Sequence, residues 1–158
     1  MAEILETKHL HWPDEAATQA AAEGLVPNAP LAGALITLEG GLGAGKTTFV
    51  RHLLRRLGAE GRIKSPSYAV MESYELPTLK ALHFDFYRLS DPREAEDAGF
   101  RELLAGPALK LCEWPGHAGP LLERADLRLL LEADEHEGRH VTAEALSVRG
   151  SALLHFLK

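Results

Sequence analysis

A glycine-rich phosphate-binding pattern occupies residues 40–48, which read Gly-Gly-Leu-Gly-Ala-Gly-Lys-Thr-Thr. It matches G-x-x-x-x-G-K-[ST], whose glycines let backbone N–H groups surround phosphate oxygens without side-chain clashes. In loops of this kind the lysine contacts the β- and γ-phosphates of a nucleotide, and the hydroxyl that follows binds Mg²⁺. We therefore predict that Lys46 and Thr47 bind the phosphates and the metal ion. A glycine-rich turn that only precedes a helix is the alternative, but it explains neither the lysine nor the threonine.

The flanking sequence has the layout that phosphate binding requires. Residues 34–38 read as a short buried strand, and the apolar positions within 49–57 follow helical spacing. The start of that helix adds unpaired N–H donors and the positive end of the helix dipole. The loop residues that we expect to contact the nucleotide are Gly41, Leu42, Gly43, Ala44, Gly45, Lys46, Thr47 and Thr48.

Two acidic residues end predicted core strands, Asp85 after Leu-His-Phe and Glu113 after Leu-Lys-Leu-Cys. Because the carboxyl ends of strands meet at one edge of a doubly wound sheet, both acids are predicted to face the phosphate loop. Asp85 is the better candidate to hold Mg²⁺, directly or through a water. Glu113 is the better candidate to activate water or to make a second contact with the metal shell. With Lys46 these are the predicted catalytic residues; exposed acids at strand ends are the alternative.

The amide side chains exclude one large class of nucleotide hydrolase. The only asparagine is Asn28 and the only glutamine is Gln19, and both precede the phosphate loop. The Asn-Lys-x-Asp element that reads guanine in many GTPases is therefore absent, as is a glutamine that positions water after the metal-binding acid. Carboxylates or a residue from a partner must do that work, and Arg88 is a candidate for stabilising developing charge.

A rival metal motif occurs at residues 136–140, which read His-Glu-Gly-Arg-His and match H-E-x-x-H. A zinc site of this type requires an uninterrupted helix, which Gly138 weakens. The G-x-x-H continuation that supplies a third ligand is also missing. We therefore interpret this segment as a hairpin loop.

The remaining periodicities predict alternating helices and strands. The predicted elements are a helix opened by Pro13 and stopped by Gly24, a hairpin of strands 68–74 and 80–86, a helix from Asp91 to about Leu104, a strand at 108–112, and a final hairpin of strands 127–131 and 140–146. The last of these strands also contains helix-favouring residues. No linker long enough to separate domains is present, so we predict one domain over residues 1–158.

Composition and charge limit the possible partners. Of 158 residues 46% are hydrophobic and 25% charged, which is ordinary for a soluble globular chain. The only cysteine, Cys112, excludes an internal disulfide, and neither a signal-peptide layout nor an apolar run of roughly 18 residues is present. We therefore predict a cytoplasmic protein without membrane association.

The net charge of −6 argues against tight, autonomous binding of nucleic acid. Residues 46–64 nevertheless contain six basic side chains and only one acid, Glu60. This stretch is either a solvated helix face or a basic patch that faces RNA or an acidic partner.

Four sequence blocks occur in a specific order: the loop at 40–48, Ser65-Pro66-Ser67-Tyr68, His83-Phe84-Asp85-Phe86-Tyr87-Arg88-Leu89, and Glu113-Trp114. Together they resemble the bacterial TsaE (YjeE) ATPases of tRNA threonylcarbamoyladenosine biosynthesis, from about Pro13 to Arg139. The resemblance implies an α/β fold, a single-domain P-loop NTPase-like three-layer sandwich with a mixed central sheet. It also implies Mg²⁺-dependent ATP hydrolysis and partnership with the TsaB–TsaD pair, which modifies the tRNA adenosine beside the anticodon. Contact with tRNA would be indirect, through that complex.

The resemblance assigns roles to individual residues. Lys46 is expected at the phosphates, Thr47 and Glu113 at the metal, and Asp85 in the region of both. Two further residues are expected near the nucleotide, namely Glu15 and Arg139.

The second block departs slightly from the family pattern. Ser67 stands where the family usually has threonine, and Tyr68 where phenylalanine is common. Because Ser67 retains a hydroxyl, we expect a switch-like role for this loop.

Three functions are compatible with these features. The first is an ATPase subunit, weak alone, that drives a tRNA-modifying complex. The second is a small-molecule kinase of the phosphate-loop class, although residues 90–125 contain no obvious arginine-rich lid. The third is a nucleotide-sensing adaptor in which binding matters and turnover does not.

Overall fold

Helices and strands alternate along the chain, of which the computed structural model describes residues 3–66, 70–122 and 124–158. In chain order they are β1 (Glu6–Trp12), α1 (Glu15–Glu23), β2 (Leu35–Glu39), α2 (Lys46–Arg56), β3 (Met71–Glu75), β4 (Lys80–Asp85), α3 (Pro92–Asp97), α4 (Phe100–Ala105), β5 (Leu109–Glu113), β6 (Leu127–Ala133), β7 (Arg139–Ala145) and α5 (Val148–Phe156). A 3₁₀ segment (Pro115–Leu122) joins β5 to β6. In these ranges every helix is too short or too polar to cross a membrane.

The strands of the described ranges form one seven-stranded sheet in the order β1-β7-β6-β2-β5-β4-β3. The central strands β6, β2, β5 and β4 run parallel to one another. The outer strands β3, β7 and β1 pair antiparallel with their neighbours. The predicted mixed sheet is therefore confirmed, and the carboxyl ends of β2, β4 and β5 lie along one edge.

Two hydrophobic clusters cover the two faces of this sheet. Side chains alternate between the faces of a strand, and in β2 Ile36 belongs to one cluster whereas Leu35 belongs to the other. The first cluster includes residues of α1, α2 and α5, and the second includes residues of α4 and the 3₁₀ segment. Helical layers thus lie on both faces, which confirms the predicted three-layer α/β fold.

The sequence patterns indicate neither β1 nor α5. Most side chains of β1 are exposed, so its sequence carries little hydrophobic alternation, and it is held by pairing with β7. The Trp12 Nε1–H donates to the carbonyl of Lys158 at 2.8 Å. Lys8 Nζ donates to the carbonyls of Leu154 and Leu157 at 2.9 and 2.8 Å. Both elements are therefore stabilised by contacts between distant parts of the chain.

Two predicted helices differ from the observed ones. The helix predicted over 91–104 is wrong as a single element, because α3 ends at Asp97 and Gly99 adopts a left-handed φ of 79°. A second helix, α4, follows the break. The helix predicted to open at Pro13 begins later, after Asp14, whose carboxylate accepts a first-turn N–H at 2.9 Å as an N-cap.

Candidate functional site

The register of β4 and β5 places the two predicted acids side by side. Asp85 and Glu113 are Cα partners in this parallel pair, as are His83 and Leu111. Partner residues share a face of the sheet, and Leu111 packs in the cluster that contains α2. Asp85, Glu113 and His83 therefore all face the helix that follows the phosphate loop.

The loop between β2 and α2 contains two positions that only glycine fits. Gly45, immediately before α2, has a φ of 101°, and a Cβ there would lie 2.8 Å from Nε of Arg139. Gly40 has a φ of 153°, and a Cβ there would collide with the carbonyl of Leu131. The helix begins at Lys46, so its first backbone N–H groups, which lack partners within the helix, lie at the loop.

Glu113 accepts hydrogen bonds from two elements at once. The Thr47 hydroxyl lies 2.8 Å from Oε1 and 3.0 Å from Oε2 of this carboxylate. Nε2 of the fully buried His83 lies 2.6 Å from Oε2. A carboxylate only accepts, so the imidazole donates from Nε2; its Nδ1 has no hydrogen-bond partner among the described residues. These contacts fix the orientation of the Glu113 carboxylate and place a proton on Nε2 of His83.

Asp85 is bound on both carboxylate oxygens by the chain that surrounds it. Its Oδ1 accepts the backbone N–H of Tyr87 at 3.0 Å, and its Oδ2 accepts the hydroxyl of Ser65. Ser65 leads into the segment of the expected switch, but residues 67–69 lie outside the described ranges. The expectation for Ser67, with its neighbour Tyr68, therefore stays a prediction.

Lys46 lies inside the loop that precedes it. Its side chain is buried, and Nζ donates to the carbonyls of Gly40 and Gly41 at 2.6 and 2.9 Å. Nζ also lies 4.1 Å from the centre of the Trp114 ring, within cation–π distance. Burial lowers the pKa of Lys46, and the carboxylates of Glu113 and Asp85 partly oppose that shift.

Two adjoining clefts open at this edge of the sheet. The first has a volume of 390 Å³, and its lining comprises Leu42 to Thr48 of the loop with Ser65, Asp85, Tyr87, Arg88, Glu113, Trp114 and Arg139. The second, of 440 Å³, lies between the start of α1 and the β6–β7 turn, and Glu15 is in its wall. Gly45, Thr48 and Arg139 line both clefts. The predicted site residues therefore surround one continuous region; Gly41 contributes the carbonyl that Lys46 binds.

Arg139 has a donor without an acceptor in this region. Its NH1 group donates to the carbonyls of Glu137 and Gly138 at 3.0 and 2.8 Å. Its Nε is buried and has no hydrogen-bond partner in the described part of the chain. Leaving a buried donor without an acceptor costs about 1–3 kcal/mol. An anionic ligand bound at this wall would accept the hydrogen bond from Nε and remove that cost.

A family model described as "Threonylcarbamoyl adenosine biosynthesis protein TsaE" matches residues 12–141. The chain belongs to the TsaE family. The resemblance noted in the sequence is thereby confirmed, and with it a family role in threonylcarbamoyladenosine biosynthesis.

Several relatives carry the name "tRNA threonylcarbamoyladenosine biosynthesis protein TsaE". The one from Haemophilus influenzae is 40% identical over 93 residues, which is 59% of each chain. The one from Bacillus subtilis is 33% identical over 117 residues, 74% of this chain and 73% of the relative. The one from Rickettsia conorii is 32% identical over 141 residues, 87% of this chain and 77% of the relative. A solved structure, "Crystal structure of Bacillus subtilus YdiB", superposes with a TM-score of 0.79 at 24% identity, covers 98% of this chain and 95% of that chain, and supports the fold.

The donors of this TsaE-family site suit a hard cation. Thr47 supplies a hydroxyl, and Glu113 and Asp85 supply carboxylates, all within the first cleft. Mg²⁺ prefers oxygen ligands of this type and commonly completes its shell with water and substrate phosphates. The residues present therefore fit the metal that the phosphate-loop pattern implies.

Sequence reasoning assigned no separate role to several residues of the TsaE-family site. His83 lies two residues before Asp85, and the alternation of side chains in a strand would have placed both on one face. The contact of Trp114 with Lys46 depends on a φ of 58° at Trp114, which no local pattern indicates. The Ser65 hydroxyl reaches Asp85 only through the loop conformation.

Two further sequence signals are the H-E-x-x-H segment and the basic stretch. His136 lies in the β6–β7 turn and His140 in β7, so the H-E-x-x-H segment is a hairpin loop as predicted, without the helix a zinc protease needs. In the basic stretch, Arg51 and Arg55 donate to the carbonyls of Ile63 and Gly61 at 3.3 and 2.9 Å. Two of these charges therefore serve local structure.

Proposed function

We propose that this chain is the Mg²⁺-dependent ATPase subunit of threonylcarbamoyl modification of tRNA adenosine, acting with the TsaB–TsaD pair. One observation carries the proposal: the Thr47 hydroxyl donates to the Glu113 carboxylate at 2.8 Å, directly beside the phosphate loop. A hydroxyl and a carboxylate so joined are the two protein ligands that hold Mg²⁺ in phosphate-loop hydrolases. Membership of the TsaE family supports threonylcarbamoyladenosine biosynthesis as the pathway in which this ATPase acts.

The phosphates would be bound by groups that the loop presents at the start of α2. Backbone N–H groups and the helix dipole favour anions there. Lys46 would exchange its contacts with the Gly40 and Gly41 carbonyls for phosphate oxygens, and Arg139 would direct its unpartnered Nε–H toward the same ligand.

The two acids would divide the remaining work. Sequence position favoured Asp85 for the metal, but the hydrogen bond to Thr47 favours Glu113 as the closer ligand. Mg²⁺ bound there would neutralise charge on the β- and γ-phosphates. Asp85 accepts from Ser65 and Tyr87, and its role would be to hold that side of the cleft and, through water, the metal shell.

The same arrangement predicts slow ATP hydrolysis by the isolated protein. Both carboxylates are engaged by donors of the chain itself, and the only glutamine, Gln19, lies in α1. A hydrolase without a dedicated group to orient water leaves that position for a partner, and such completion accelerates GTPases by ~10³–10⁵-fold. We therefore propose that the TsaB–TsaD pair completes the site and that tRNA acts through that complex.

The test measures hydrolysis of γ-labelled ATP with and without the TsaB–TsaD pair. We expect slow turnover alone, faster turnover with the pair, and binding of the pair that differs between ATP and ADP. Lys46→Ala should abolish turnover and remain folded, whereas Lys80→Ala, at the opposite end of β4, should behave as the parent. Label transfer to a small acceptor would instead indicate a kinase. Tight ATP binding without turnover under every condition would indicate an adaptor.

A further inference from the structure

Two histidines of the outer strands lie side by side on one face of the sheet. His11 and His140 are register partners in the antiparallel β1–β7 pair. Their rings stack with centres 4.7 Å apart and an angle of 26° between their planes. Glu132 of β6 is the register partner of His140 on its other side and adds negative charge to the same face.

Asp134 completes a cluster with these rings. Its Oδ2 lies 2.8 Å from Nε2 of His11. Its Oδ1 accepts the backbone N–H groups of His136 and Gly138, each at 2.8 Å, so the carboxylate is fixed by the β6–β7 turn. One ligand atom from each of Asp134, His11 and His140 lies within 4.8 Å of the others.

We propose that His11, Asp134 and His140 form a binding site for a divalent transition-metal ion of the zinc class, separate from the nucleotide's Mg²⁺. Two imidazole nitrogens and one carboxylate oxygen are a donor set that Zn²⁺ uses, with water in the remaining position. Mg²⁺ prefers oxygen ligands and does not compete well for such nitrogens. The ion takes the place of the proton that His11 now donates from Nε2 to Asp134, and in the neutral ring that proton moves to Nδ1.

The charge state of the cluster suits a cation. The hydrogen bond from His11 is the largest cause that lowers the pKa of Asp134 to about 2, and the backbone N–H of His136 adds to it. The carboxylate is therefore ionised at neutral pH. Half of the His11 side chain is exposed, which leaves room for the small ring rotations that coordination requires.

The residues of this site lie next in sequence to the two segments that form the walls of the second cleft. Pro13 to Glu15, which form one wall, follow His11 closely in the chain. Asp134 accepts N–H groups of the turn on the other side, where His136, Glu137 and Arg139 line the cleft. An ion bound to both strands fixes the separation of these walls. We therefore expect Zn²⁺ to stabilise the fold and to order the turn that carries Arg139.

The experiment measures Zn²⁺ binding to untagged, chelator-treated protein by calorimetry in excess Mg²⁺. We expect one Zn²⁺ per chain, a rise in melting temperature that a chelator reverses, and a visible absorption band of low-coordinate cobalt when Co²⁺ replaces Zn²⁺. His140→Asn, at an exposed position, should weaken Zn²⁺ binding by ~10-fold or more and abolish the cobalt band.

Matched variants separate this site from general surface binding. His9 is also exposed, lies two residues before His11 on the same face of β1, and has Thr142 as its register partner. His9→Asn should therefore bind Zn²⁺ as the parent does, and so should Glu113→Gln. Unchanged Zn²⁺ affinity in His140→Asn, or an equal loss in His9→Asn or Glu113→Gln, would overturn the proposal. None of these readouts depends on ATP, so they stand apart from the proposed ATPase function.

Discussion

His83 donates from Nε2 to the Glu113 carboxylate across 2.6 Å, in a part of the sheet where both side chains are almost completely buried. The Thr47 hydroxyl donates to the same carboxylate from α2. A donor from β4 and a donor from α2 therefore fix the orientation of Glu113 before any ligand arrives. Such outer contacts commonly tune the affinity of a metal ligand.

The first prediction concerns His83 as a positioning residue. A glutamine amide places a donor where Nε2 now lies, whereas an asparagine amide is too short to reach Glu113. We therefore expect His83→Asn to raise the Mg²⁺ concentration required for ATP binding by ~10-fold or more. His83→Gln should stay close to the parent. The measurement is a Mg²⁺ titration of nucleotide affinity, with melting temperatures recorded for both variants. Equal Mg²⁺ requirements in the two variants would show that His83 does not position Glu113 for the metal.

The second prediction separates the two acids. Glu113→Gln should need more Mg²⁺, because it loses the charge that lies against Thr47. Asp85→Asn should raise the Mg²⁺ requirement less than Glu113→Gln does but turn over ATP slower by ~10²-fold, because it removes a negative charge from the cleft and replaces the oxygen that accepts from Ser65 with an NH₂ group. Glu75→Gln, at the far edge of the sheet, is the control. A normal Mg²⁺ requirement in Glu113→Gln would indicate that Asp85, rather than Glu113, is the closer ligand of the metal.

The local sequence predicts the phosphate loop and the neighbouring strand ends better than it predicts the outer strand β1 and the terminal helix α5. The loop pattern depends on contiguous residues, and strand polarity alone brings Asp85 and Glu113 to one edge, as their register confirms. The outer strand β1 and the terminal helix α5 depend on pairing and packing between residues more than 100 positions apart, such as Lys8 with Leu154. Neither leaves a periodic signal, so neither is visible before the fold is known.

The third prediction uses the two tryptophans as probes. Trp114 contacts the Lys46 ammonium, whereas Trp12 is buried and stacks on Phe49 at 5.6 Å. Since phosphate binding would draw Lys46 away from the ring, Mg²⁺–ATP should change Trp114 emission. The change should persist in Trp12→Phe and vanish in Trp114→Phe. An ATP-dependent signal that survives in Trp114→Phe would contradict this contact change.

The fourth prediction compares two neighbouring glycines of the loop. Gly40→Ala should destabilise the fold by about 1–3 kcal/mol, because its Cβ would strike the Leu131 carbonyl and lie 2.9 Å from the Cβ of Ala44. Gly41→Ala should change stability by less than about 0.5 kcal/mol, since no atom lies within 4 Å of its Cβ. Urea unfolding measures both values. Equal destabilisation of the two variants would mean that the backbone conformation of the turn, rather than the contact with the Leu131 carbonyl, determines the loss of folding stability.

The fifth prediction concerns Cys112, which is fully buried on the second face of the sheet. Burial raises the pKa of this thiol above its usual range, and the thiolate is the reactive form. Labelling by iodoacetamide should therefore stay slow between pH 7 and 9 in the folded protein, although an ordinary thiol reacts faster as pH rises through about 8.5. Unfolding in urea should restore ordinary labelling. A rate in the folded protein that rises with pH as for a free thiol would show local opening of β5.

The contacts of Lys46 with its own loop bear on which anions this protein can select. The Gly40 and Gly41 carbonyls accept from two of the three N–H donors of this ammonium, and an incoming phosphate would compete with them for it. Inorganic phosphate and a triphosphate would meet the same competition, but only the longer chain would gain contacts along the whole loop. Under the proposed function, discrimination by the length of the phosphate chain would begin with two peptide carbonyls, before the base or the sugar makes any contact.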